Sequence, residues 1–173
     1  MLGLAPAAHG ANRTGRVFTG DGSGDFLMHA MHACGFASIP TSTHAGDGLA
    51  LAGAYIAAAV RCAPPDNKPL PAEIDNCLPW LEAELDSLPR LEAIVALGRI
   101  AFDATLRVLG ARGAAIRPRP PFTHGAVHRF EGPFPALVAS YHPSRQNTNT
   151  GRLTEDMFDE VFRTARAILG SRL

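Results

Sequence analysis

The sequence predicts an α/β domain in which helices flank a small parallel sheet. Short apolar runs alternate with helical patterns along the chain, and this alternation is typical of α/β folds. The 173 residues suit a single domain, 1–173, and their 46% hydrophobic and 18% charged content indicates a globular protein. No apolar run approaches the roughly 20 residues of a membrane helix. Because no signal peptide is recognisable either, we expect a cytoplasmic protein without a membrane partner.

The first half of the chain predicts two strands and one helix. A short strand leads into Gly3, and a polar, glycine-rich loop follows to about Gly22. Ser23 is expected to cap a helix that reaches about Cys34. Residues 54–61 are apolar and predict a buried strand, which the prolines that follow should end.

The middle of the chain predicts a helix, a strand and a second helix. Pro71 suits the first position of a helix that reaches about Leu88, although Pro79 should kink or split it. Residues 92–97 form the clearest strand pattern, and Gly98 then turns the chain into a helix to about Leu109.

The last third predicts two strands and a final helix. A short strand is expected at 126–130 and a buried one at 136–141. Thr154 should cap the last helix, where Glu155 and Asp156 would face its positive amino-terminal end.

Three polar segments, 5–22, 62–70 and 142–153, each follow a predicted strand. The carboxyl ends of parallel strands meet at one edge of a sheet, and ligands bind at that edge in open α/β folds. We therefore expect these segments to form the functional site together.

The segment after the last strand carries the strongest local signal. Pro143 favours an extended backbone at His142, which would hold the imidazole at the tip of the strand. Ser144, Arg145 and Asn147 follow, and such side chains suit contacts to phosphate and sugar. The sequence therefore predicts a functional histidine beside a nucleic-acid contact.

The charge distribution leaves two interpretations open. The formal net charge is zero, yet no acidic residue lies between Asp103 and Glu131, a stretch with five arginines. Arg13 and Arg16 likewise precede the first acidic residue, Asp21. Such segregation permits one positive, DNA-binding face, but it is equally consistent with solvated arginine-rich loops.

Three ordered segments resemble the B-type, fifth-family uracil-DNA glycosylases. Residues 3–16 are similar to the first motif of that family, and residues 142–148 to its last motif. Residues 60–69 together with Cys77 resemble its iron–sulfur segment. The resemblance implies a three-layer uracil-DNA glycosylase fold, with helices on both faces of a small parallel sheet. It also implies a monofunctional, monomeric base excision repair enzyme that flips uracil, hypoxanthine or xanthine out of DNA and hydrolyses the N-glycosidic bond.

The resemblance also assigns roles to individual residues. His142 would donate a hydrogen bond to the departing base, Asp21 would support catalysis, and Asn67 would orient a water or the base. Phe18 would stack on the flipped base, unless it is a loop aromatic that packs into the core. The expected DNA contacts are Arg13, Arg16, Ser144, Arg145, Asn147 and Arg152.

The base pocket departs from related branches of the superfamily. Ala5, Ala7 and Ala58 stand where those branches carry an Asp, a Tyr and a uracil-reading Asn, and Leu4 stands where one branch carries a Glu. The usual water activator and the usual device for uracil specificity are therefore both missing. With Ala7 in place of Tyr, the pocket should admit bases larger than uracil.

The iron–sulfur segment is incomplete. Cys62 and Cys77 match the last two of the four thiolates that hold a [4Fe–4S] cluster in the family, while an upstream Cys-x-x-Cys is absent. Met1 also lies two residues before Gly3, where the family has a complete strand and that segment. We therefore expect an amino-terminally truncated chain whose cluster is incomplete or absent. A natural variant that has lost its cluster is the rival interpretation.

Two other functions are alternatives to a glycosylase for this sequence. A catalytically inactive DNA-binding or damage-recognition module of the same fold would keep the arginines and lose the chemistry. A hydrolase built on Ser140 and His142 lacks a Gly-x-Ser-x-Gly elbow. Residues two apart on one strand also do not form the geometry of a nucleophile and its base.

Overall fold

One five-stranded sheet organises the fold, and the computed structural model describes residues 1–170 of the chain. The strands are β1 (Leu2–Gly3), β2 (Ala57–Ala58), β3 (Ala93–Leu97), β4 (Val127–His128) and β5 (Ala136–Ser140), in the spatial order β2-β1-β3-β5-β4. The pairs β1–β2, β1–β3 and β3–β5 are parallel, whereas β4 runs antiparallel to β5. The predicted parallel pairing therefore holds for the first four strands in this order, and β4 adds one antiparallel strand at the edge. Residues 129–135 between β4 and β5 are too few for the crossover that parallel strands need.

The outer strand β2 is shorter than the predicted strand 54–61. It pairs with β1 in the register Leu2 to Ala57 and Gly3 to Ala58. Beyond it, Ala59 and Val60 donate backbone hydrogen bonds to the carbonyls of Gly3 and Leu4, at 3.0 and 2.9 Å. The two segments thus stay together as they leave the sheet, and their loops begin side by side.

Within residues 1–170, six α-helices accompany the sheet: α1 (Ala11–Thr14), α2 (Gly22–Ala33), α3 (Pro71–Asp86), α4 (Arg99–Ala111), α5 (Arg145–Asn149) and α6 (Glu155–Gly170). The predicted helices α2, α3, α4 and α6 are confirmed within a few residues, and the short helices α1 and α5 were not predicted. Thr154 does cap α6, since its Oγ1 accepts a hydrogen bond from the Met157 amide at 3.3 Å. None of these described helices is both long and apolar enough to cross a membrane.

Two details of the predicted helices are corrected. Asp21, not Ser23, caps α2: its Oδ1 accepts hydrogen bonds from the amides of Ser23 and Gly24, both at 2.9 Å. Asp21 stands immediately before the first helical residue, which is where a cap must lie. Pro79 does not split α3, because leucines on both sides of it pack against one core cluster.

Side chains from the two faces of the sheet enter two separate cores. Successive residues of a strand point to opposite faces, so Ile94 and Ala96 join one core while Val95 and Leu97 join the other. The first core contains the buried side chains of α3 and α4, among them Leu81 and Phe102. The second contains those of α2 and α6, among them Met31, Phe158 and Phe162. The fold is therefore the expected three-layer α/β arrangement.

Candidate functional site

Three loops at the carboxyl edge of the sheet enclose a cavity of about 660 Å³. Ala5 and Asp21 belong to the loop after β1, Asn67 to the loop after β2, and His142 to the loop after β5. A volume of this size is typical of small-molecule pockets. The structure thus brings together the three residues predicted to be catalytic, although they are widely separated in sequence.

His142 is fixed by its backbone and by the packing around it. Its carbonyl accepts a hydrogen bond from the Asn147 side-chain amide, at 2.8 Å between Nδ2 and O. A Cβ on Gly98 would lie 3.2 Å from the His142 Cβ, so the turn before α4 closes against it. Burial lowers the pKa of His142 from its ordinary value of 6.5, while the Asp21 carboxylate opposes that shift. The ring is therefore neutral at pH 7 and can donate one hydrogen bond.

Asp21 joins the cap of α2 to the cavity. While its Oδ1 accepts two helix amides, its Oδ2 lies so close to Gly10 that any Cβ there would overlap it. The partial positive charge at the helix terminus stabilises a carboxylate in this position. Asp21 therefore presents a negative charge of fixed orientation to the cavity wall.

Phe18 serves both the core and the cavity. It is 8% exposed and packs in the core beside α2 and α6, yet it also lines the cavity, 6.1 Å from the His142 ring between centroids. Its φ of 54° is uncommon for a residue with a side chain. A Cβ on Gly3 would lie 2.6 Å from the Phe18 ring. Phe18 therefore packs into the core, as one interpretation of the sequence expects, and also lines the cavity, where the other interpretation places it.

Asn67 lies at the end of a 3-10 turn, Pro65–Asn67, that follows β2. Both Asp66 and Asn67 have positive φ angles, 53° and 54°, and Asn and Asp tolerate this region better than most residues. This backbone places Asn67 at the wall of the cavity that His142 also lines. Its exposed amide remains available to a ligand or a water.

The three alanines predicted to bind the base do not lie together. Ala5 and Ala7 line the cavity, where they leave one wall without large side chains. Ala58 does not line it: it is 3% exposed within β2 and borders a separate depression beside Pro6 and Ala11. The short strand β2 holds Ala58 in the sheet, below the loops that form the cavity.

The predicted DNA contacts fall into two groups. Ser144 and Arg145 line the cavity. Arg13 and Arg152 are exposed and do not line it: Arg13 donates to the His9 carbonyl, and Arg152 packs on the Tyr141 ring at 4.6 Å. Arg16 instead donates hydrogen bonds to Thr19, Ser42 and Asp47, and the Arg16 guanidinium holds the pKa of the Asp47 carboxyl far below its usual range. Asn147 is likewise engaged, by the His142 carbonyl.

Sequence reasoning missed the glycines that make this packing possible. Gly10 admits the Asp21 carboxylate, and Gly24 admits the Phe18 carbonyl, which would lie 2.5 Å from a Cβ there. The pattern Gly20-Asp21-Gly22-Ser23-Gly24 carried a usable signal, because an Asp directly before a helical segment favours the capping position. No sequence pattern pointed to Gly10.

Of the cysteines of the predicted iron–sulfur segment, Cys62 lies in the loop after β2 and Cys77 lies in α3. Cys62 is exposed, and the half-buried Cys77 Sγ accepts a hydrogen bond from the Arg61 amide at 3.4 Å. Cys34 lies elsewhere, with its thiol against the Asp159 carbonyl of α6 at 3.9 Å. Within residues 1–170, no group of three or more His, Cys, Asp or Glu side chains could hold a metal ion. The thiols described here therefore do not fit a four-thiolate cluster.

Comparisons with known proteins all find members of one family. A family model described as the uracil DNA glycosylase superfamily matches residues 1–166. A Type-5 uracil-DNA glycosylase of Thermus thermophilus is 53% identical over 173 residues, which cover 98% of this chain and 75% of that protein. A protein of the same name from Mycobacterium tuberculosis is 52% identical over 171 residues, covering 98% of this chain and 62% of that protein. Another, from Pyrobaculum aerophilum, is 47% identical over 170 residues, covering 98% and 71%.

Proposed function

Because the chain belongs to the uracil DNA glycosylase superfamily, we propose that it excises uracil from DNA by hydrolysis of the N-glycosidic bond, as a monofunctional enzyme of base excision repair. One observation carries the proposal: Asp21, Asn67, His142 and Phe18, from three separate loops, line a single cavity of about 660 Å³. A base that leaves the duplex needs such a pocket, with a stacking surface and a few polar groups.

His142 acts on the leaving base. As the N-glycosidic bond breaks, negative charge develops on the base, and a fixed donor aimed at that charge stabilises the transition state more than the ground state. A neutral imidazole donates one hydrogen bond and keeps no net charge that would repel the sugar cation. The low pKa of His142, caused by burial, favours this form at pH 7.

Asp21 acts on the sugar. Glycosidic cleavage passes through an oxocarbenium-like state, which needs electrostatic stabilisation more than a strong nucleophile. The Asp21 carboxylate lines the cavity with its orientation fixed by the α2 amides. It therefore stabilises the cation and orients the water that attacks it, without the acidic residues that other branches carry near Leu4 and Ala5.

The cavity also supports activity on larger deaminated bases, hypoxanthine and xanthine. Ala5 and Ala7 form part of its wall, and neither side chain fills the space beyond a methyl group. Phe18 supplies an aromatic surface that stacks on a purine as well as on a pyrimidine. Asn67, on the loop after β2, distinguishes bases through its amide.

DNA that contains a deaminated base is the proposed partner. Arg145 and Ser144 lie at the cavity wall, and the exposed Arg13 and Arg152 are further candidates for phosphate contacts. Arginines and hydroxyls in this arrangement contact the phosphates that flank a flipped nucleotide. Arg16 and Asn147 contribute by holding the loops in place rather than by contacting DNA.

The cluster of the resembled family is not part of the proposed chemistry. Cys62 and Cys77 would supply two thiolates, and a [4Fe–4S] cluster needs four protein ligands. Cys62 lies in the loop that carries Asn67 and Cys77 in the helix that follows it, so a cluster held by them would have a structural role. The monomeric state and the cytoplasmic location stay predictions from the sequence.

The proposal is tested by base release from oligonucleotides. Duplexes that contain uracil, hypoxanthine or xanthine at one position are incubated with the protein and then treated with alkali, which breaks the strand at an abasic site. We expect strand scission at the modified position and none in the matched undamaged duplex. Binding to the uracil duplex without scission would instead favour an inactive damage-recognition module of the same fold.

A further inference from the structure

The His124 side chain lies at the end of the β4–β5 pairing, where a backbone amide of the strand has no backbone carbonyl opposite it. At the edge of β5, Gly125 donates to the Ala139 carbonyl at 2.8 Å, and Ala139 donates to the Ala126 carbonyl at 2.9 Å. The next amide that points to this side belongs to Tyr141, and its hydrogen bond goes to the His124 ring, at 3.0 Å between N and Nδ1. A side chain thus adds one rung to the β4–β5 ladder.

The bond determines the protonation of His124. A backbone amide can only donate, so Nδ1 must be the accepting nitrogen and the proton must lie on Nε2. There it faces the Met157 carbonyl in the first turn of α6, at 3.3 Å. The ring also stacks on the Tyr141 side chain, with centroids 4.9 Å apart and planes 24° apart. His124 is therefore a neutral imidazole that ties the end of β5 to α6.

This contact lies one residue before the proposed donor to the leaving base. The Tyr141 amide is held by His124, and the carbonyl of the following residue, His142, is held by the Asn147 amide. We propose that His124 is a positioning residue, which fixes the backbone direction of His142 at the cavity through the Tyr141 amide. The inference rests on the glycosylase function proposed above, and it gives His124 no contact with the substrate.

The positioning bond exists in only one protonation state. A protonated imidazole carries hydrogens on both nitrogens, so its Nδ1–H would face the Tyr141 N–H and the bond would break. Burial lowers the pKa of His124 from its ordinary value of 6.5, which keeps the bond intact at neutral pH. The charged and titratable groups on the elements around it are His128 of β4, Tyr141, His142, Arg145 and Arg152 between β5 and α6, and Glu155, Asp156, Asp159, Glu160, Arg163 and Arg166 of α6. Acid should therefore weaken the hold on His142 through His124.

The experiment compares two substitutions that separate the bond from the packing. His124→Phe keeps a ring of similar size but removes the acceptor, whereas His124→Asn places an oxygen close to the position of Nδ1 and loses the ring. His128→Phe is the matched control, because His128 also packs its ring in the interior, on Phe102, and its buried Nε2 has no hydrogen-bond partner within residues 1–170. Thermal unfolding of each variant establishes that it is folded before single-turnover excision of uracil and affinity for DNA are measured.

We expect His124→Phe to slow excision on the order of tenfold with DNA affinity unchanged, because a small displacement of a catalytic group is costly. His124→Asn should recover most of that loss, and His128→Phe should match the wild type. The rate of the wild type should also fall more steeply on acidification than that of His124→Asn, a difference that a purely structural role would not produce. Equal rates for wild type and a folded His124→Phe, or equal losses in both His124 variants, would overturn the assignment.

The two proposals fail in different ways. If the wild-type protein excises no base, the proposed function is wrong, and the positioning role is then read from NMR spectra alone. His124→Phe should speed hydrogen exchange of the Tyr141 amide and change the titration of the His142 imidazole, and His124→Asn should restore both. An unchanged Tyr141 amide in His124→Phe would contradict the positioning role whatever the activity.

Discussion

The side-chain amide of Asn147 donates a hydrogen bond to the backbone carbonyl of His142, with 2.8 Å between Nδ2 and O. Asn147 itself lies in α5. The Ser144 hydroxyl caps this helix, since it accepts a hydrogen bond from the backbone N–H of Asn147 at 3.4 Å. The short helix α5 therefore holds the backbone of the preceding His142 turn through the Asn147 side chain. The carbonyl is thus held by a segment whose Ser144 and Arg145 also line the cavity.

This contact predicts a rate effect for Asn147. Asn147→Ala removes the bond to the His142 carbonyl, and we expect single-turnover excision of uracil to slow about tenfold while the dissociation constant for DNA changes less than twofold. A filter-binding or anisotropy titration beside the excision assay separates the two. A loss of affinity equal to the loss of rate would mean that Asn147 contacts DNA, as its sequence motif suggests.

A second prediction separates two of the arginines that the sequence predicts to contact DNA. Arg145 lines the cavity, whereas Arg16 is bonded to Thr19, Ser42 and Asp47. Arg145→Ala should weaken binding to all DNA sequences and reduce the slope of log K against log salt by about one phosphate contact. Arg16→Ala should instead lower the melting temperature by several degrees, since it strands buried polar groups.

The same pair supplies the control for that prediction. Each variant is measured for both its melting temperature and its salt-dependent affinity, so each arginine is the reference for the other. A reduced salt slope in Arg16→Ala at an unchanged melting temperature would assign Arg16 to the DNA surface instead.

The sequence predicted most of the fold because its patterns are local. The strands at 93–97 and 136–140 are runs of almost entirely apolar residues. Helix α6 follows a Thr cap and has two acidic residues in its first turn. The antiparallel strand β4 was not distinguished from a parallel one, because two residues carry too little pattern to fix a direction.

The residues that line the cavity could be predicted from the sequence more readily than the contacts they make. His142, Asp21 and Asn67 were found through motifs, but nothing in the motifs shows that Asn147 bonds to His142 or that Arg16 bonds to Asp47. These are contacts between loops, set by how the chain folds back over the sheet. Ala58 fell outside the cavity for the same reason, since its place depends on where β2 leaves the sheet.

A third prediction concerns the pH dependence of stability. Burial lowers the pKa of His142 below its ordinary 6.5, so the unfolded chain binds more protons than the folded one as the pH falls through that value. The stability that depends on a neutral His142 is therefore complete above pH 6.5 and is lost on acidification. Between about pH 7.5 and pH 5.5, the melting temperature of the wild type should drop more than that of His142→Gln. The exposed His29, replaced by Gln, is the control, and the same drop in wild type and His142→Gln would refute the burial effect.

A fourth prediction concerns the three thiols. Cys62 is exposed, while burial and the nearby Asp159 carboxylate raise the pKa of Cys34. Since the thiolate is the reactive form, a maleimide should label Cys62 rapidly and Cys34 slowest, as read by mass spectrometry of peptides. The labelling is carried out on protein purified without oxygen. Protection of Cys62 and Cys77 together, reversed by an iron chelator, would show that this chain binds iron through them.

The assignment of His142 and Asp21 is the central claim, and single-turnover excision tests it most directly. Two matched controls come from α2, where the exposed Asp25 and His29 are replaced in the same way. His142→Ala removes a fixed donor to the departing base, so its rate should fall about 10²- to 10³-fold. Asp21→Asn keeps the shape but deletes the charge, so its rate should fall while DNA affinity holds or rises.

Asn67→Ala completes the series, since a residue that reads the base edge should affect uracil and hypoxanthine unequally. All variants are measured on both substrates at saturating protein. The account predicts large losses for His142→Ala and Asp21→Asn, with Asp25→Asn and His29→Ala close to the wild type. Near wild-type rates for both His142→Ala and Asp21→Asn would contradict the catalytic assignment and leave only the fold.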